Sequence, residues 1–285
     1  MKLIADSGST KTVWVVTEEG KEKGRINTAG LNPYFHTFES VESVLIAELL
    51  PFLVPDHIGE IHFYGAGCST EKNNAMVQDA LAIYFRKSRI MIYHDILGAA
   101  RALFGHGKGI AGILGTGCNS CYYDGNHCFS KVDSLGYLFG DEGAGSYLGK
   151  TFLGKYLRKE LPSDLDQAFR EKFNPSLEDI LDSLYNRPSP NRYLASFSAF
   201  LAPNQKHPFI HRLVLDSFLA FFHAQIKQYE NYRELPVGFV GSIAFYYRDI
   251  LTEAAREEEI MAATILRSPM EGLTVFHSQP RDPNA

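Results

Sequence analysis

The sequence has few cysteines, no excess of basic charge and no long uninterrupted apolar run. Four cysteines among 285 residues are too few for a secreted disulfide framework. A formal net charge of −5 gives no field that would attract nucleic acid or an anionic membrane. The apolar stretch 44–54 contains Glu48 and Pro51 and is too short to span a bilayer. The N-terminus reaches Asp6 at once, without the apolar region of a signal peptide. These absences predict a cytoplasmic protein without nucleic-acid or membrane partners.

What the sequence does contain is two glycine-rich turns of the same design, each between two apolar strand-like runs. The first covers residues 6–12 and the second residues 115–120. Glycine permits a positive φ and a close approach of the backbone, and Ser and Thr hydroxyls add hydrogen-bond donors. One such turn is common, but a pair in one chain predicts two hairpins that bind a polyphosphate, one from each of two lobes.

The order of predicted elements divides the chain into two similar halves. Each half begins with a three-stranded meander that contains the glycine turn, and helices follow. Helical spacing at 39–50, 74–85 and 96–104 alternates with apolar strands at 58–66 and 89–93, which indicates a partly parallel sheet. The glycine-rich stretch 105–109 marks the boundary. We predict an α/β fold with an N-terminal lobe of residues 1–107 and a C-terminal lobe of residues 108–285, the latter carrying a helical insert.

Two aspartates stand at predicted carboxyl ends of strands, where α/β proteins place their ligands. Asp6 is a candidate Mg²⁺ ligand, directly or through water, because Mg²⁺ combines one or two carboxylates with phosphate oxygens. Asp95 is a candidate general base that accepts a proton from a substrate hydroxyl. Each has a structural alternative. Asp6 stabilises its own turn, or Asp95 is the N-cap of a helix that begins at Ile96.

Two further motifs contain groups that can bind ligands. The glycine-rich loop 140–146 carries Asp141 and Glu142 and is a candidate contact to a polar substrate or a metal, with helix capping as its alternative. Cys118 and Cys121, with His127 and Cys128, have a spacing similar to that of metal ligands. Because Cys118 lies inside the glycine turn, small buried thiols are the favoured interpretation.

Taken in order along the chain, these motifs resemble a known family. The carriers of the resemblance are the segment 6–12, Asp95, the run 114–119, the loop 140–143 and the segment 241–244. They resemble the BadF/BadG/BcrA/BcrD-type ATPase family, especially its N-acetylglucosamine kinase branch, over nearly the whole chain. The resemblance implies a two-lobed actin-like ATPase (ribonuclease H-like) fold, each lobe a mixed sheet flanked by helices. It also implies that the last helix packs back on the N-terminal lobe.

The resemblance implies a role for each motif. The ATP phosphates would be bound by Ser7, Gly8, Ser9, Thr10, Lys11 and Thr12 in the first loop and by Gly115, Thr116 and Gly117 in the second. Adenosine would contact Gly241 and Ser242, and Asp6 would hold Mg²⁺. The substrate sugar would lie against Asn32, Ser69, Thr116, Asn119 and Asp141, with Asp95 as the general base. Ser7 and Ser9 stand where the family more often has glycine.

The expected function is therefore an ATP-dependent kinase acting on a hydroxyl of an amino sugar such as N-acetylglucosamine or N-acetylmuramate. The alternative is an ATPase switch that acts on a partner protein and has no sugar substrate. The family's activator branch holds an iron–sulfur cluster through cysteines between subunits. Cys118 and Cys121 lie in the second phosphate turn, which disfavours that branch. A homodimer is common in the family and is expected here from the resemblance alone.

Overall fold

Both predicted meanders are present, and each begins a five-stranded sheet. The computed structural model describes residues 1–279. Contacts among these residues divide the chain into two units. The first contains residues 1–109, 123–128 and 268–279, and the second contains residues 110–122 and 129–267. The predicted α/β class, with two mixed sheets flanked by helices, is confirmed.

The first sheet has the strand order β3-β2-β1-β4-β5. Its strands are β1 (Lys2–Ser7), β2 (Lys11–Glu18), β3 (Lys21–Ala29), β4 (Glu60–Gly65) and β5 (Arg89–His94). Strand β2 runs antiparallel to β1 and β3, whereas β1, β4 and β5 are mutually parallel. The parallel register pairs Ser7 with Gly65 and Gly65 with His94. The carboxyl ends of these three strands are therefore level.

Side-chain alternation gives this sheet two apolar faces. Leu3 and Ala5 of β1 point into one buried cluster, together with residues of α1 (Phe38–Val44) and α2 (Glu71–Tyr84). Ile4, between them, belongs to a second cluster on the opposite face. The helix α3 (Asp95–Phe104) follows β5 directly.

The helix predicted over 39–50 changes its winding before it ends. After α1, residues 45–49 form a π-helical turn and residues 50–52 a 3₁₀ turn. Pro51 has no N–H to donate, and its ring clashes with the carbonyl four residues earlier. The end of this helix therefore forms first a wide π-helical turn and then a tight 3₁₀ turn, and the α-helix does not continue.

The second sheet has the order β10-β9-β6-β7-β8. Its strands are β6 (Gly109–Leu114), β7 (Cys118–Tyr123), β8 (Cys128–Phe129), β9 (Val237–Val240) and β10 (Ala262–Leu266). Strand β9 is parallel to β6 and β10. Strand β8, the third strand of the second meander, has only two residues. Beyond it, the Ser130 side chain rather than the backbone donates a hydrogen bond to the Ser120 carbonyl, at 3.3 Å.

Helices make up most of the remainder of the second unit. They are α4 (Gly136–Phe139), α5 (Gly145–Leu157), α6 (Ser163–Lys172), α7 (Leu177–Tyr185), α8 (Pro190–Ser196), α9 (Ser198–Leu201), α10 (Pro208–Ala224), α11 (Ser242–Tyr246) and α12 (Arg248–Glu257). Three phenylalanines of α10, Phe218, Phe221 and Phe222, are buried in the core that also contains Phe239 of β9. Within residues 1–279, no helix has the length and apolar character needed to cross a membrane.

The last helix, α13 (Met270–Ser278), belongs to the first unit. Met270 and Leu273 are buried with Ile4, Val13 and Val15, on the second face of the first sheet. Gly272 lies against the backbone of Ala102 in α3, so that a Cβ atom there would be 2.7 Å from the Ala102 Cα. A glycine at this position therefore allows the two helices to approach closely.

We expect Gly272→Ala to destabilise the protein because the added methyl forces α13 away from α3. Overpacking of this kind costs about 1–3 kcal/mol of unfolding free energy, which urea denaturation measures. Val275→Ala is the matched control, since Val275 lies on the same helix with 58% of its surface exposed and should change stability by less than about 0.5 kcal/mol. Equal stability of Gly272→Ala and the wild type would contradict this packing argument.

Candidate active site

The level strand ends of the first sheet bring Asp6 and Asp95 to the same edge. Asp6 is the penultimate residue of β1, and Asp95 is the first residue of α3, directly after β5. Both side chains are partly buried. The carboxylates are close enough for the charge of Asp95 to raise the pKa of Asp6. The N-cap alternative for Asp95 was wrong, because α3 begins at Asp95 itself and its N-cap residue is His94.

The environment of this edge raises both acidic pKa values. Burial raises the pKa of Asp6 to about 7, the charge of Asp95 adds to the rise, and Lys11 opposes it. Burial also raises the pKa of Asp95, whereas His94 and nearby backbone N–H groups lower it. Within residues 1–279, no group donates a hydrogen bond to the buried Oδ1 of Asp95, although Nε2 of His94 lies 3.4 Å from it. Perturbed carboxylates with spare hydrogen-bonding capacity are typical of functional sites.

The first glycine loop divides into a buried base and an accessible tip. The hydroxyls of Ser7 and Thr12 are 2.8 Å apart and buried, and Ser7 Oγ also accepts a hydrogen bond from the Leu31 N–H at 3.1 Å. The N–H of Gly8 donates to the Lys11 carbonyl at 3.0 Å. Of the predicted phosphate ligands, residues 8–11 therefore form the accessible part. The Ser7 and Thr12 hydroxyls hold the base of the hairpin.

Asn32 and Ser69 lie beside this loop in the first unit. The amide Nδ2 of Asn32 donates to Ser9 Oγ at 2.8 Å, and its Oδ1 accepts from the Tyr34 N–H at 3.0 Å. The hydroxyls of Tyr34 and Ser69 are 3.5 Å apart. Gly67 has a φ of 80°, and the Asn32 carboxamide and the Tyr34 ring occupy the space of a side chain there. Tyr34 was not among the predicted site residues. The only feature of the sequence that could have indicated it is its aromatic character directly after Asn32-Pro33.

The second glycine loop is bound to the start of α5. The Gly115 N–H donates to the Gly117 carbonyl at 3.0 Å, and the N–H groups of Gly145 and Ser146 donate to the carbonyls of Gly115 and Thr116 at 2.9 and 3.0 Å. The predicted phosphate ligands Gly115, Thr116 and Gly117 are partly exposed, as is the predicted sugar ligand Asn119. Asn119 Oδ1 accepts a hydrogen bond from the Ser120 N–H at 2.9 Å.

Asp141 is the side chain that links this loop to α5. It is buried and has a φ of 64°, and its Oδ1 accepts from the Cys118 N–H at 3.0 Å while Oδ2 accepts from the Ser146 hydroxyl at 3.1 Å. Burial raises the pKa of Asp141, and these two hydrogen bonds oppose the rise. A Cβ atom at Gly117 would be 2.9 Å from Asp141 Oδ1. Asp141 therefore has a structural role, whereas its predicted contact to a sugar stays a prediction.

The Gly241 turn lies at the same edge of the second sheet as the second glycine loop. The register pairs Ile113 with Val240 and Val240 with Leu266, which makes the carboxyl ends of β6, β9 and β10 level. Gly241 has a φ of 131°, and the carbonyl of Leu114 fills the space where a Cβ atom would be. Only glycine allows this approach. The second unit thus brings Gly241 and the predicted phosphate loop together.

The cysteines are all free thiols, and Cys68, Cys118 and Cys121 are buried. Burial raises the pKa of Cys118 well above its usual value, and the charges of Asp141 and Glu142 act in the same direction. Such a thiol is unreactive and is a poor metal ligand. Residues 1–279 contain no group of three His, Cys, Asp or Glu side chains arranged around a common metal position.

Comparison with known proteins identifies the family. No family model and no curated protein sequence matches this chain. Among solved structures, a candidate N-acetylglucosamine kinase from Porphyromonas gingivalis is 41% identical, with a TM-score of 0.93 over 98% of this chain and 99% of that one. The chain belongs to the N-acetylglucosamine kinase-like family of actin-like ATPases. The resemblance predicted from the motifs is therefore confirmed.

More distant members of this superfold share the fold alone. A candidate N-acetylglucosamine kinase from Chromobacterium violaceum is 16% identical, with a TM-score of 0.73 over 98% of this chain and 99% of that one. A glucokinase of the ROK family from Streptomyces griseus, solved with glucose and AMPPNP, is 14% identical, with a TM-score of 0.59 over 96% and 97% of the two chains. The N-acetylglucosamine kinase-like chain thus has the predicted two-lobed actin-like fold.

We expect the stability contribution of Asp6 to depend on pH. Since the pKa of Asp6 rises from 3.8 to about 7 on folding, ionising it costs stability as the pH increases through this range. In metal-free buffer, the stability gained by Asp6→Asn over the wild type should be roughly 1–3 kcal/mol larger at pH 8 than at pH 5, as measured by urea denaturation. Asp56→Asn is the control, because Lys87 lowers the pKa of Asp56. The same gain for Asp6→Asn at both pH values would refute the assignment.

The role of Asp141 is tested by comparing Asp141→Ala with Asp141→Asn. Alanine leaves the buried Cys118 N–H without an acceptor and is strained at a positive φ, so we expect a loss of about 2–4 kcal/mol of unfolding free energy. Asparagine retains an acceptor for Cys118 and tolerates this backbone conformation, so its loss should be about 1 kcal/mol. If the two variants unfold at the same urea concentration, the link between the loop and α5 is not the role of Asp141.

Proposed function

We propose that this protein is an ATP-dependent kinase that phosphorylates a hydroxyl group of an amino sugar such as N-acetylglucosamine or N-acetylmuramate. Membership of the N-acetylglucosamine kinase-like family supports a sugar kinase. The observation that carries the proposal is the position of Asp95. Its carboxylate lies at the same sheet edge as the first glycine loop, and Oδ1 accepts no hydrogen bond from residues 1–279. A substrate hydroxyl that donates to this atom would place its proton on the proposed base.

Asp95 combines two properties that a general base needs. Burial raises its pKa, which makes the carboxylate a stronger proton acceptor once it is ionised. His94 and the N–H of Ile96 oppose the rise and keep the carboxylate oriented at the start of α3. As the substrate oxygen bonds to the γ-phosphorus, the bond from this phosphorus to the β,γ-bridging oxygen breaks, ADP leaves, and the hydroxyl proton passes to Asp95.

Asp6 is the proposed ligand of the Mg²⁺ ion that accompanies ATP. Its half-buried carboxylate has a pKa of about 7, because burial and the charge of Asp95 raise the pKa by more than the charge of Lys11 lowers it. A carboxylate of this kind, with phosphate oxygens and water completing the coordination, suits Mg²⁺. When bound, the ion would neutralise part of the negative charge of the phosphates. Asp6 and Lys11 orient the nucleotide phosphates at this edge.

The remaining site residues keep their proposed roles. Residues 8–11 and 115–117 are the proposed phosphate contacts, through groups other than the N–H groups of Gly8 and Gly115, which donate within their own loops. Ser7 and Thr12 support the first loop, and Gly241 with Ser242 contacts adenosine. Asn32, Ser69, Thr116, Asn119 and Asp141 are the proposed sugar contacts. A homodimer and a cytoplasmic location stay predictions. Gel filtration with light scattering tests the first, and cell fractionation tests the second.

The proposed activity is tested by ADP release from MgATP with a panel of sugars. The panel contains N-acetylglucosamine, N-acetylmuramate, glucosamine, N-acetylmannosamine and glucose. Release that depends on an amino sugar is the expected result and identifies the substrate. Release that is independent of every sugar, or ATP binding without any release, would instead favour the ATPase switch.

We expect Asp95→Asn to lower kcat for the sugar by roughly 10²–10⁴, the usual contribution of a general base. The dissociation constant of MgATP, measured by calorimetry, should change less than about twofold, because Asp6, Lys11 and the glycine loops, and not Asp95, are the proposed nucleotide contacts. Asp79→Asn is the matched control, since Asp79 is exposed on α2 in the same unit. Wild-type turnover by Asp95→Asn would exclude this residue as the base.

A further inference from the structure

We propose that Tyr34 contacts the substrate and sets the sugar specificity, with its ring packed on a flat face of the pyranose. The inference rests on the proposed sugar kinase activity and assigns a role to a residue that the motifs did not identify. The sugar it fits has equatorial substituents, which leave the C–H groups of the ring accessible on both faces.

Three contacts position Tyr34, the first through its backbone and the other two through its hydroxyl and its ring. Its N–H donates to Asn32 Oδ1 at 3.0 Å, and its hydroxyl lies 3.5 Å from the Ser69 hydroxyl. The ring edge is 2.9 Å from the position of a Cβ atom at Gly67, so that only glycine leaves room for it. Nevertheless, 63% of the Tyr34 surface is exposed. An aromatic ring that is fixed along one edge and open on its face can bind an apolar surface without losing much conformational entropy.

The contacts of Tyr34 connect it to both parts of the candidate site. Asn32, which accepts its N–H bond, donates to Ser9 in the first glycine loop. Gly67 and Ser69 belong to the turn that follows β4, whose end is level with the end of β5 and hence with Asp95. Cys68, in the same turn, is near enough to Asp95 for that charge to raise its pKa. Tyr34 therefore contacts the residues of a loop and a turn that lie at the same sheet edge as the proposed base.

The chemistry of a pyranose matches this arrangement. Its hydroxyls point outward from the ring and can reach polar groups such as Ser69 and the Tyr34 hydroxyl, whereas its C–H groups form apolar faces. An aromatic face packs against such an apolar surface, and a few convergent polar groups fix the orientation. In N-acetylmannosamine the axial acetamido group projects from one face of the ring and prevents packing on that face, which is the face that we assign to Tyr34. Tyr34 should thus favour N-acetylglucosamine over N-acetylmannosamine, whose acetamido group is axial.

The test measures kcat and KM for both sugars in the wild type, Tyr34→Phe, Tyr34→Leu and Tyr34→Ala. For N-acetylglucosamine, we expect Tyr34→Ala and Tyr34→Leu to raise KM about tenfold, the effect of losing one aromatic contact. The kcat should stay within about threefold, and KM for MgATP should not change. The preference for N-acetylglucosamine over N-acetylmannosamine should also fall about tenfold, whereas Tyr34→Phe keeps both values near wild type. Tyr185→Ala is the control, because Tyr185 is 80% exposed on α7 in the second unit.

The outcomes separate this inference from the activity on which it rests. If the wild type phosphorylates N-acetylglucosamine and Tyr34→Ala has the same KM and the same sugar preference, the role of Tyr34 is wrong and the kinase activity stands. A parallel rise in KM for MgATP would also overturn it, because the change would then reflect a displaced glycine loop. If the wild type phosphorylates no sugar in the panel, the proposed function itself fails.

Discussion

The parallel pairing of β1 and β5 with β4 between them is the constraint on which the first half of the candidate site depends. It makes Ser7, Gly65 and His94 level, so residues that are almost ninety positions apart in sequence, such as Asp6 and Asp95, meet at one edge. A shift of one residue in this register would turn every side chain of the shifted strand to the other face of the sheet. The second sheet repeats the device with β6, β9 and β10, whose level ends carry the second glycine loop and Gly241.

Hydrogen bonds then determine which groups of each loop remain available to a ligand. In the first loop, Ser7 and Thr12 are committed to each other and to the neighbouring backbone. In the second loop, Asp141 uses both carboxylate oxygens to hold Cys118 and Ser146. Because these bonds are buried, breaking any of them costs free energy, since the released donor or acceptor cannot reach water. The loops are thereby preorganised, and their glycine-rich tips are the parts that remain accessible to a ligand.

Local patterns were sufficient to predict much of this molecule, and long-range contacts explain what they missed. Strand alternation and turn residues predicted both meanders, and the ordered motifs predicted the family and the fold. The position of Asp6 and Asp95 at strand ends also followed from pattern. The internal role of Asp141 depends on a hydrogen bond across 23 residues, and Tyr34 owes its position to Gly67. No periodicity or spacing in the sequence records such pairings, because they form only when separate loops meet in the folded chain.

The discontinuity of the first unit has a consequence for the order in which the protein matures. A ribosome delivers residues 1–109 early, but the helix that covers Ile4, Val13 and Val15 is made only after the whole second unit. During that interval, one apolar face of the first sheet lacks the helix that covers it and can associate with other apolar surfaces. Nascent chains in this state are prone to association with one another and are natural clients of chaperones.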